Sequence, residues 1–268
     1  MGRRLSDLLL PAGIFIGALA AWELVVRAWR VPGYVLPAPS AIALKLWQDG
    51  GALTPEIATT LAEALAGYVI GNVIGMVLAI LFFFRPGWDR VAMLPLVASN
   101  SVPAVAFAPV IILWFGIGMT SKIVLVAFIS CFIALQNLLQ GLRQVDPLAV
   151  NVFRSFGAGE WKIFWSLRFP AALPYLFTAL RIGSIRSVII AIVAEMLGAY
   201  RGVGWVIFET TASMDYLRLW AAVIGASAAG VLFFVLVSSI EHRLVWWHVS
   251  VGAGARHSRR RTWRIDHG

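Results

Sequence analysis

Six long apolar stretches constrain this chain more than any other feature of its sequence. They lie at about residues 8–29, 61–84, 91–115, 123–142, 173–199 and 219–240. As helices rising about 1.5 Å per residue, all are long enough to cross a hydrocarbon layer of roughly 30 Å. Because lipid offers no partners for backbone groups, each stretch must satisfy its own hydrogen bonds, which only a helix does. The sequence therefore predicts an all-α, polytopic membrane bundle of about six transmembrane helices.

The charge content supports a single membrane domain over residues 1–268. Only 13% of the 268 residues are charged, and 60% are hydrophobic. Soluble domains are about a quarter charged, so one aqueous core cannot hide this apolar surplus. Six spans with short loops also leave no room for a soluble catalytic domain. The first apolar run lacks a clear cleavage site, so we expect a retained first helix.

The distribution of lysine and arginine predicts the orientation. With the N-terminus inside, fourteen of the 22 basic residues fall in inside loops and tails. This bias places both termini in the cytoplasm. The basic tail, about residues 243–268, then faces water or anionic lipid there, and we expect no nucleic-acid partner.

No metal or catalytic cluster is visible in the sequence. Cys131 is the single cysteine, and the four histidines near the C-terminus lack metal-ligand spacing. No nucleotide-binding glycine loop occurs, since the segment from Gly157 to Lys162 has the wrong spacing. We therefore expect no enzyme activity, cofactor or ATP site in this chain.

Small residues and prolines mark two of the spans. Gly67, Gly71 and Gly75 share one helix face, which predicts close packing against another helix of the bundle. The third span contains prolines 95, 103 and 109, so it should be kinked or broken. Asn100 and Ser101 lie between the first two, where polar residues either line a watery path or simply accompany a packing kink.

Two segments between spans carry local structural signals. Ser40 is a candidate N-cap for a separate amphipathic helix over residues 41–47, lying at the membrane interface. The outside segment, residues 200–218, either caps a pore or joins two helices.

The fifth span carries Arg181, Arg186 and Glu195. A charge at mid-membrane costs roughly 2.5–3.5 kcal/mol, so each should face protein or water. Arg186 and Glu195 are too far apart along one helix to pair, at about 13.5 Å. Arg186 therefore either attracts an anionic solute or pairs with another span. Glu23 and Glu63 are interpreted as interfacial residues.

The inside loop, residues 143–170, is the most informative segment. Two short helices are predicted on either side of Gly157-Ala-Gly159, the first capped by Asp146 with Pro147 in its first turn. Pro170 and Pro174 should then redirect the chain into the membrane. Phe153, Phe156 and Trp161 give the loop an apolar surface, which indicates docking of a partner.

Together these segments resemble the permease subunits of bacterial ABC importers, specifically the nitrate, sulfonate and taurine group. The inside loop keeps Arg154-Ser-Phe-Gly157-Ala158 and Arg168-Phe-Pro-Ala-Ala-Leu-Pro174. Further matching pieces are Leu36-Pro-Ala-Pro-Ser40, Ala108-Pro-Val-Ile-Ile-Leu-Trp-Phe-Gly-Ile-Gly118, Ser121-Lys-Ile123, Val145-Asp-Pro147, Ala179-Leu-Arg-Ile-Gly183 and Ala194-Glu-Met-Leu-Gly-Ala199. One departure is Asn151-Val152-Phe153, which stands where the family often has Glu-Ala-Ala.

The resemblance implies a type I ABC importer permease fold in the bacterial inner membrane. It also implies two permease chains, two ATPase chains that bind ATP and magnesium, and a periplasmic or lipoprotein binding protein. The implied ATPase-coupling residues are Asp146, Asn151, Phe153, Arg154, Ser155, Phe156, Gly157, Ala158 and Trp161. The candidates for the translocation path or gate are Asn100, Ser101, Pro103, Arg186 and Glu195.

Several alternatives stay open from the sequence. A sulfonate, taurine or nitrate-like anion is the expected solute, and a neutral pyrimidine-like or other small organic solute is the alternative. A secondary transporter or channel would need an ion-coupling site and usually inverted repeats, neither of which is visible. A membrane enzyme would need clustered acids or histidines, whereas the acids here are scattered.

Overall fold

The computed structural model describes residues 2–85, 87–88 and 103–244, and all regular structure within these ranges is helical. The helices are α1 (Gly2–Ala28), α2 (Pro39–Phe84), α3 (Ala104–Phe115), α4 (Met119–Arg143), α5 (Pro147–Ser155), α6 (Glu160–Ile163), α7 (Phe169–Gly198), α8 (Val203–Ala212) and α9 (Tyr216–Leu244). A π-helical turn, Phe164–Arg168, joins α6 to α7. The predicted all-α membrane fold is confirmed.

Four helical segments in these ranges are long and apolar enough to cross a membrane. They are Pro39–Phe84, Met119–Arg143, Glu160–Gly198 and Tyr216–Ile240. They contain the predicted second, fourth, fifth and sixth spans. The first predicted span coincides with α1, and the end of the third coincides with the shorter apolar segment Val105–Phe115. The predicted break in the third span falls mainly on residues 91–102, outside the described residues; α3 itself begins directly after Pro103.

The glycine face of α2 packs directly on α4, as predicted. A Cβ atom added to Gly67 would lie 2.6 Å from Val126 Cβ, and one on Gly71 would lie 2.8 Å from Ala127 Cα. Both distances are well below van der Waals contact. Only glycine therefore allows the two helix backbones to approach this closely.

The predicted interfacial helix over residues 41–47 is wrong as a separate element. The segment is the start of α2, which runs unbroken for 46 residues through Pro55. Tertiary contacts hold α2 helical around Pro55. Leu53 is buried against α8 and α9, and Glu56 binds the start of α8.

Ser40 is not the N-cap of α2. The cap is Ala38, which offers no capping side chain, and Pro39 follows in the first turn. The carboxylate of Glu23 on α1 takes over this role by accepting bonds from Ser40 N at 3.0 Å and Ser40 Oγ at 2.7 Å. A cap supplied by another helix leaves no local sequence signal, so the capping rule selected the wrong residue.

The predicted redirection at Pro170 and Pro174 is also wrong. Helix continues from Glu160 to Gly198, with Pro170 in the first turn of α7 and Pro174 inside it. In the π-turn the Phe169 N–H donates to the Phe164 carbonyl, one residue further back than in an α-helix. The wider turn accommodates the missing N–H of Pro170 without ending the helix.

Candidate functional site: the α5–α6 hairpin and the charges of the spans

The inside loop forms a helical hairpin with α5 and α6 as its arms. Asp146 caps α5, since its carboxylate accepts a hydrogen bond from Leu148 N at 2.9 Å. Pro147 occupies the first turn, where its missing N–H leaves no hydrogen bond unmade. The two predicted short helices and their cap are confirmed.

Gly157 produces the tight turn between the two arms. Its φ angle is +73°, and the N–H of the following Ala158 donates to the Phe153 carbonyl at 3.0 Å. A Cβ at Gly157 would meet no atom within 4 Å, so glycine is required by backbone conformation rather than by space. Arg154 and Glu160 bridge the turn with an ion pair of 2.7 Å.

One face of α5 and its C-cap residue carry an exposed apolar row. It consists of Leu148, Val152 and Phe156, whose exposed fractions are 72%, 53% and 85%. They are four residues apart, so they lie one above the other on the helix. Trp161 on α6 is also exposed, whereas Phe153 is partly buried. Leu148 and Val152 were not predicted from the sequence, although their helical spacing with Phe156 indicates the row.

Asn151, Ser155 and Ala158 complete the predicted coupling set. Asn151 and Ser155 are exposed, and the Ser155 hydroxyl donates to the Val152 carbonyl at 2.8 Å. Ala158 is partly buried beside the turn. The structure thus gathers all nine predicted coupling residues on one compact hairpin.

Aromatic packing attaches the base of the hairpin to the bundle. Phe164, in the π-turn, is fully buried against Phe83 and Phe84 at the end of α2. The guanidinium of Arg168 donates to the Leu142 carbonyl at 3.2 Å and lies 5.1 Å from the centre of the Phe83 ring. The hairpin is therefore fixed at its base and exposed at its tip.

The predicted path residues do not form one site in the described chain. Arg186 is exposed on α7, whereas Glu195 is fully buried further along the same helix. Pro103 is exposed at the start of α3, and Asn100 and Ser101 lie outside the described residues. Glu195 thus faces protein, which is one of the two surroundings expected for a charge within a span.

A buried polar cluster around Glu195 was missed by the sequence argument. Its carboxylate accepts bonds from Thr60 Oγ1 at 2.7 and 2.9 Å and from Gly204 N at 2.7 Å. Glu63 belongs to this cluster, because it is 3% exposed and lies close to Glu195. Lys122 is buried nearby and donates to the carbonyls of Ile117, Gly118 and Gly198.

Comparison with known proteins decides what kind of molecule contains this hairpin. Residues 71–246 match the family described as "Binding-protein-dependent transport system inner membrane component". The chain belongs to this family. It is a permease subunit of the binding-protein-dependent ABC importers and a multi-pass inner-membrane protein.

Named relatives cover almost the whole permease. It is 30% identical over 246 residues to the formylaminopyrimidine transport permease protein ThiX of Halalkalibacterium halodurans, covering 91% of this chain and 98% of ThiX. It is 27% identical over 256 residues to the taurine transport system permease protein TauC of Escherichia coli, covering 90% of each. The taurine relative agrees with the resemblance to the nitrate, sulfonate and taurine group.

A solved structure supports the fold. The permease matches a chain from inward-facing conformations of the MetNI methionine ABC transporter with a TM-score of 0.59 and 22% identity. The match covers 72% of this permease and 94% of that chain. At this level of identity the similarity concerns the fold alone.

Proposed function

We propose that two copies of this permease form the path by which a binding protein delivers a small organic anion to the cytoplasm. Two separate ATPase chains hold ATP and magnesium, and each docks on one α5–α6 hairpin. The hairpins and both termini lie in the cytoplasm. The exposed apolar row of α5 is the observation that carries this proposal.

The row suits a protein partner better than it suits water. Leu148, Val152 and Phe156 expose more than half of their surface each, along one arm of a hairpin whose base is packed on the bundle. Exposed apolar groups grouped on one helix face are typical of a helix that enters a groove of another protein.

Continuous helix supports a mechanical role for the hairpin. The segment Glu160–Gly198 has 39 residues, or about 58 Å at 1.5 Å per residue. A displacement of α6 by a docked ATPase therefore passes along α7 to the other side of the membrane without crossing a loop.

The departure at Asn151-Val152-Phe153 makes this docking largely apolar. No carboxylate is present at those positions, and the acid nearest to the turn, Glu160, is already paired with Arg154. Contact with the ATPase therefore depends on the apolar row rather than on an ion pair made by this segment.

Arg186 and the taurine relative support an anionic solute. Arg186 is a cation exposed on a membrane-spanning helix, and such a residue is expensive in lipid unless it faces a path or a partner. The second candidate is a neutral pyrimidine-like solute, which the formylaminopyrimidine relative at 30% identity favours.

Docking is tested with the permease in nanodiscs, together with its ATPase and binding protein. We expect Phe156→Asp to prevent co-purification of the ATPase, because a charge in the apolar row opposes docking. Ser166→Ala, an exposed change at the base of the hairpin and outside the coupling set, is the control and should co-purify normally. Equal recovery of the ATPase with both variants would contradict the proposed docking surface.

Solute class is tested by uptake with taurine, alkanesulfonates, nitrate and pyrimidine precursors. We expect Arg186→Gln to reduce anion uptake at least tenfold and Arg186→Lys to retain most of it. Uptake of a neutral solute that is unaffected by Arg186→Gln would instead establish the second candidate.

A further inference from the structure

The short helix α8 begins with backbone amides that are held by side chains of other helices. Its N-cap, Gly202, has no side chain with which to cap it. Three consecutive amides instead donate to other helices: Gly202 N to Glu56 Oε2 at 2.6 Å, Val203 N to Thr60 Oγ1 at 2.8 Å, and Gly204 N to Glu195 Oε2 at 2.7 Å. Because an unpaired buried amide is costly, these bonds stabilise α8 in its position on α2 and α7.

Two glycines show that α8 is built around the Glu195 carboxylate. Gly202 has a φ angle of +98°, and a Cβ there would lie 2.7 Å from Glu195 Oε2 and closer still to Oε1. A Cβ on Gly204 would lie 2.7 Å from Glu195 Cβ and would also overlap the Ile192 carbonyl. The close approach of α8 to the Glu195 side chain is thus supported by the space around these glycines as well as by the hydrogen bonds.

Thr60 links the acid to the helix. Its hydroxyl donates to Glu195 while its oxygen accepts the Val203 amide, so one small side chain serves both groups. Thr60 and Glu195 are each 2% exposed or less, which removes competing water from both. We call Glu56, Thr60 and Glu195 together the α8 latch.

The latch lies at the end of the bundle opposite the hairpin. Helix α7 follows the hairpin at Phe169 and reaches the latch only near Gly198. Beyond the latch, Val203 and Val206 of α8 are buried against Leu53 of α2 and against Ala221 and Ala222 of α9. Helix α8 therefore fills the space between the ends of three membrane-spanning helices.

Further charges surround the latch on the neighbouring helices. Glu63 lies close to Glu195, and Lys122 binds the Gly198 carbonyl at the end of α7. Arg201 pairs with Glu56 at 3.1 Å in the turn before α8. The turn between α7 and α8 is thus fastened at both of its ends.

We propose that α8 closes the permease on the side opposite the hairpin, and that Glu195 and Thr60 are positioning residues that keep it closed. The transport readouts of this inference rest on the proposed importer function. To open this side, α8 must move away from α2 and α7, and its three amides must leave their partners. The latch therefore sets how readily the permease opens on that side. Weakening it uncouples ATP hydrolysis from solute delivery.

The first test measures how often α8 leaves its packed position, in the purified permease in nanodiscs. A single reporter is made by Val206→Cys in a Cys131→Ser background and reacted with a water-soluble maleimide. We expect Thr60→Val, which keeps the shape but removes the hydroxyl, to accelerate labelling about tenfold or more. Glu209→Gln, on the exposed part of α8, is the control and should label slowly.

The second test measures coupling in the complete importer with its ATPase and binding protein. Thr60→Val and Glu195→Gln should raise ATP hydrolysis without binding protein and lower the solute delivered per ATP. A purely structural defect would instead reduce both activities in proportion to the folded protein.

Rescue keeps the proposal testable if Glu195→Gln fails to fold. Thr60→Ser retains the hydroxyl and should restore both slow labelling and normal coupling. Unchanged labelling in Thr60→Val would overturn the latch, and faster labelling with normal solute per ATP would overturn its role in closure. Labelling needs no ATPase, so failure of the importer proposal is distinguishable from failure of the latch.

Discussion

The two ends of this permease are held together by opposite means. At the hairpin end, the tip exposes apolar side chains such as Phe156, and its few polar bonds are local. At the α8 end, polar side chains such as Glu195 are fully buried, and the bonds made by Thr60 join residues more than 130 positions apart.

The difference indicates two different requirements. An exposed apolar tip on a firmly packed base is typical of a surface that a partner covers. A buried network with its amides paired stabilises one arrangement of its helices. The hairpin end is thus suited to receiving another chain, and the α8 end to staying closed until it is displaced.

Substitution of Gly204 should have the largest effect, and it should disrupt the packing of the α8 end without affecting the hairpin. Gly204→Ala places a Cβ against the Ile192 carbonyl and Glu195, with no flexible neighbour able to move away. We expect the free energy of unfolding to fall by about 3 kcal/mol, near the upper end for overpacking. Denaturation in nanodiscs measures this, with Gly50→Ala as control because a Cβ there meets nothing within 4 Å. Equal stability of the two variants would disprove the close contact.

Substitution of Gly157 affects the hairpin through conformation rather than contact. Gly157→Ala should cost about 1–2 kcal/mol locally, since an L-residue is disfavoured at positive φ. Faster hydrogen exchange at Ala158 and reduced ATPase stimulation are expected. Gly157→Asn should lose less, because asparagine tolerates this conformation better. Identical behaviour of both variants would argue against the conformational explanation.

A pair of capping aspartates compares the two ends directly. Asp146 caps α5 in the hairpin, and Asp215 accepts a bond from Arg218 N at 3.1 Å at the start of α9. Alanine at either position should cost about 1 kcal/mol of helix stability, seen as faster amide exchange. Only Asp146→Ala should also weaken ATPase stimulation. Loss of stimulation in both variants would show that the hairpin is not specifically the docking end.

The smallest effect is expected at the ion pair across the hairpin turn. Arg154 and Glu160 are both more than half exposed, so Arg154→Gln should cost less than about 1 kcal/mol and less still at high salt. Thermal unfolding at two salt concentrations measures this, with Glu160→Gln as the matched variant. A loss as large as the about 3 kcal/mol expected for Gly204→Ala would mean that the turn is shielded from solvent.

Local signals predicted the hairpin well. The cap at Asp146, the turn at Gly157 and the two short helices each depend on residues within a few positions of one another. The apolar stretches and the glycine face of α2 were equally accessible, because helical periodicity is written directly in the sequence. The continuation of α6 into α7 was missed, since a π-turn leaves no comparable local mark.

The sequence by itself determined that this chain is a helical membrane protein with an apolar hairpin, because lipid requires long apolar helices and turns require particular residues. Only the tertiary structure decided that Glu63 and Glu195 are buried together and that Glu23 caps α2. It also decided that Thr60 holds α8 across 143 positions of the chain. Periodicity states which face of a helix is apolar but not which helix that face meets, so the partners of isolated polar residues appear only when the helices are packed.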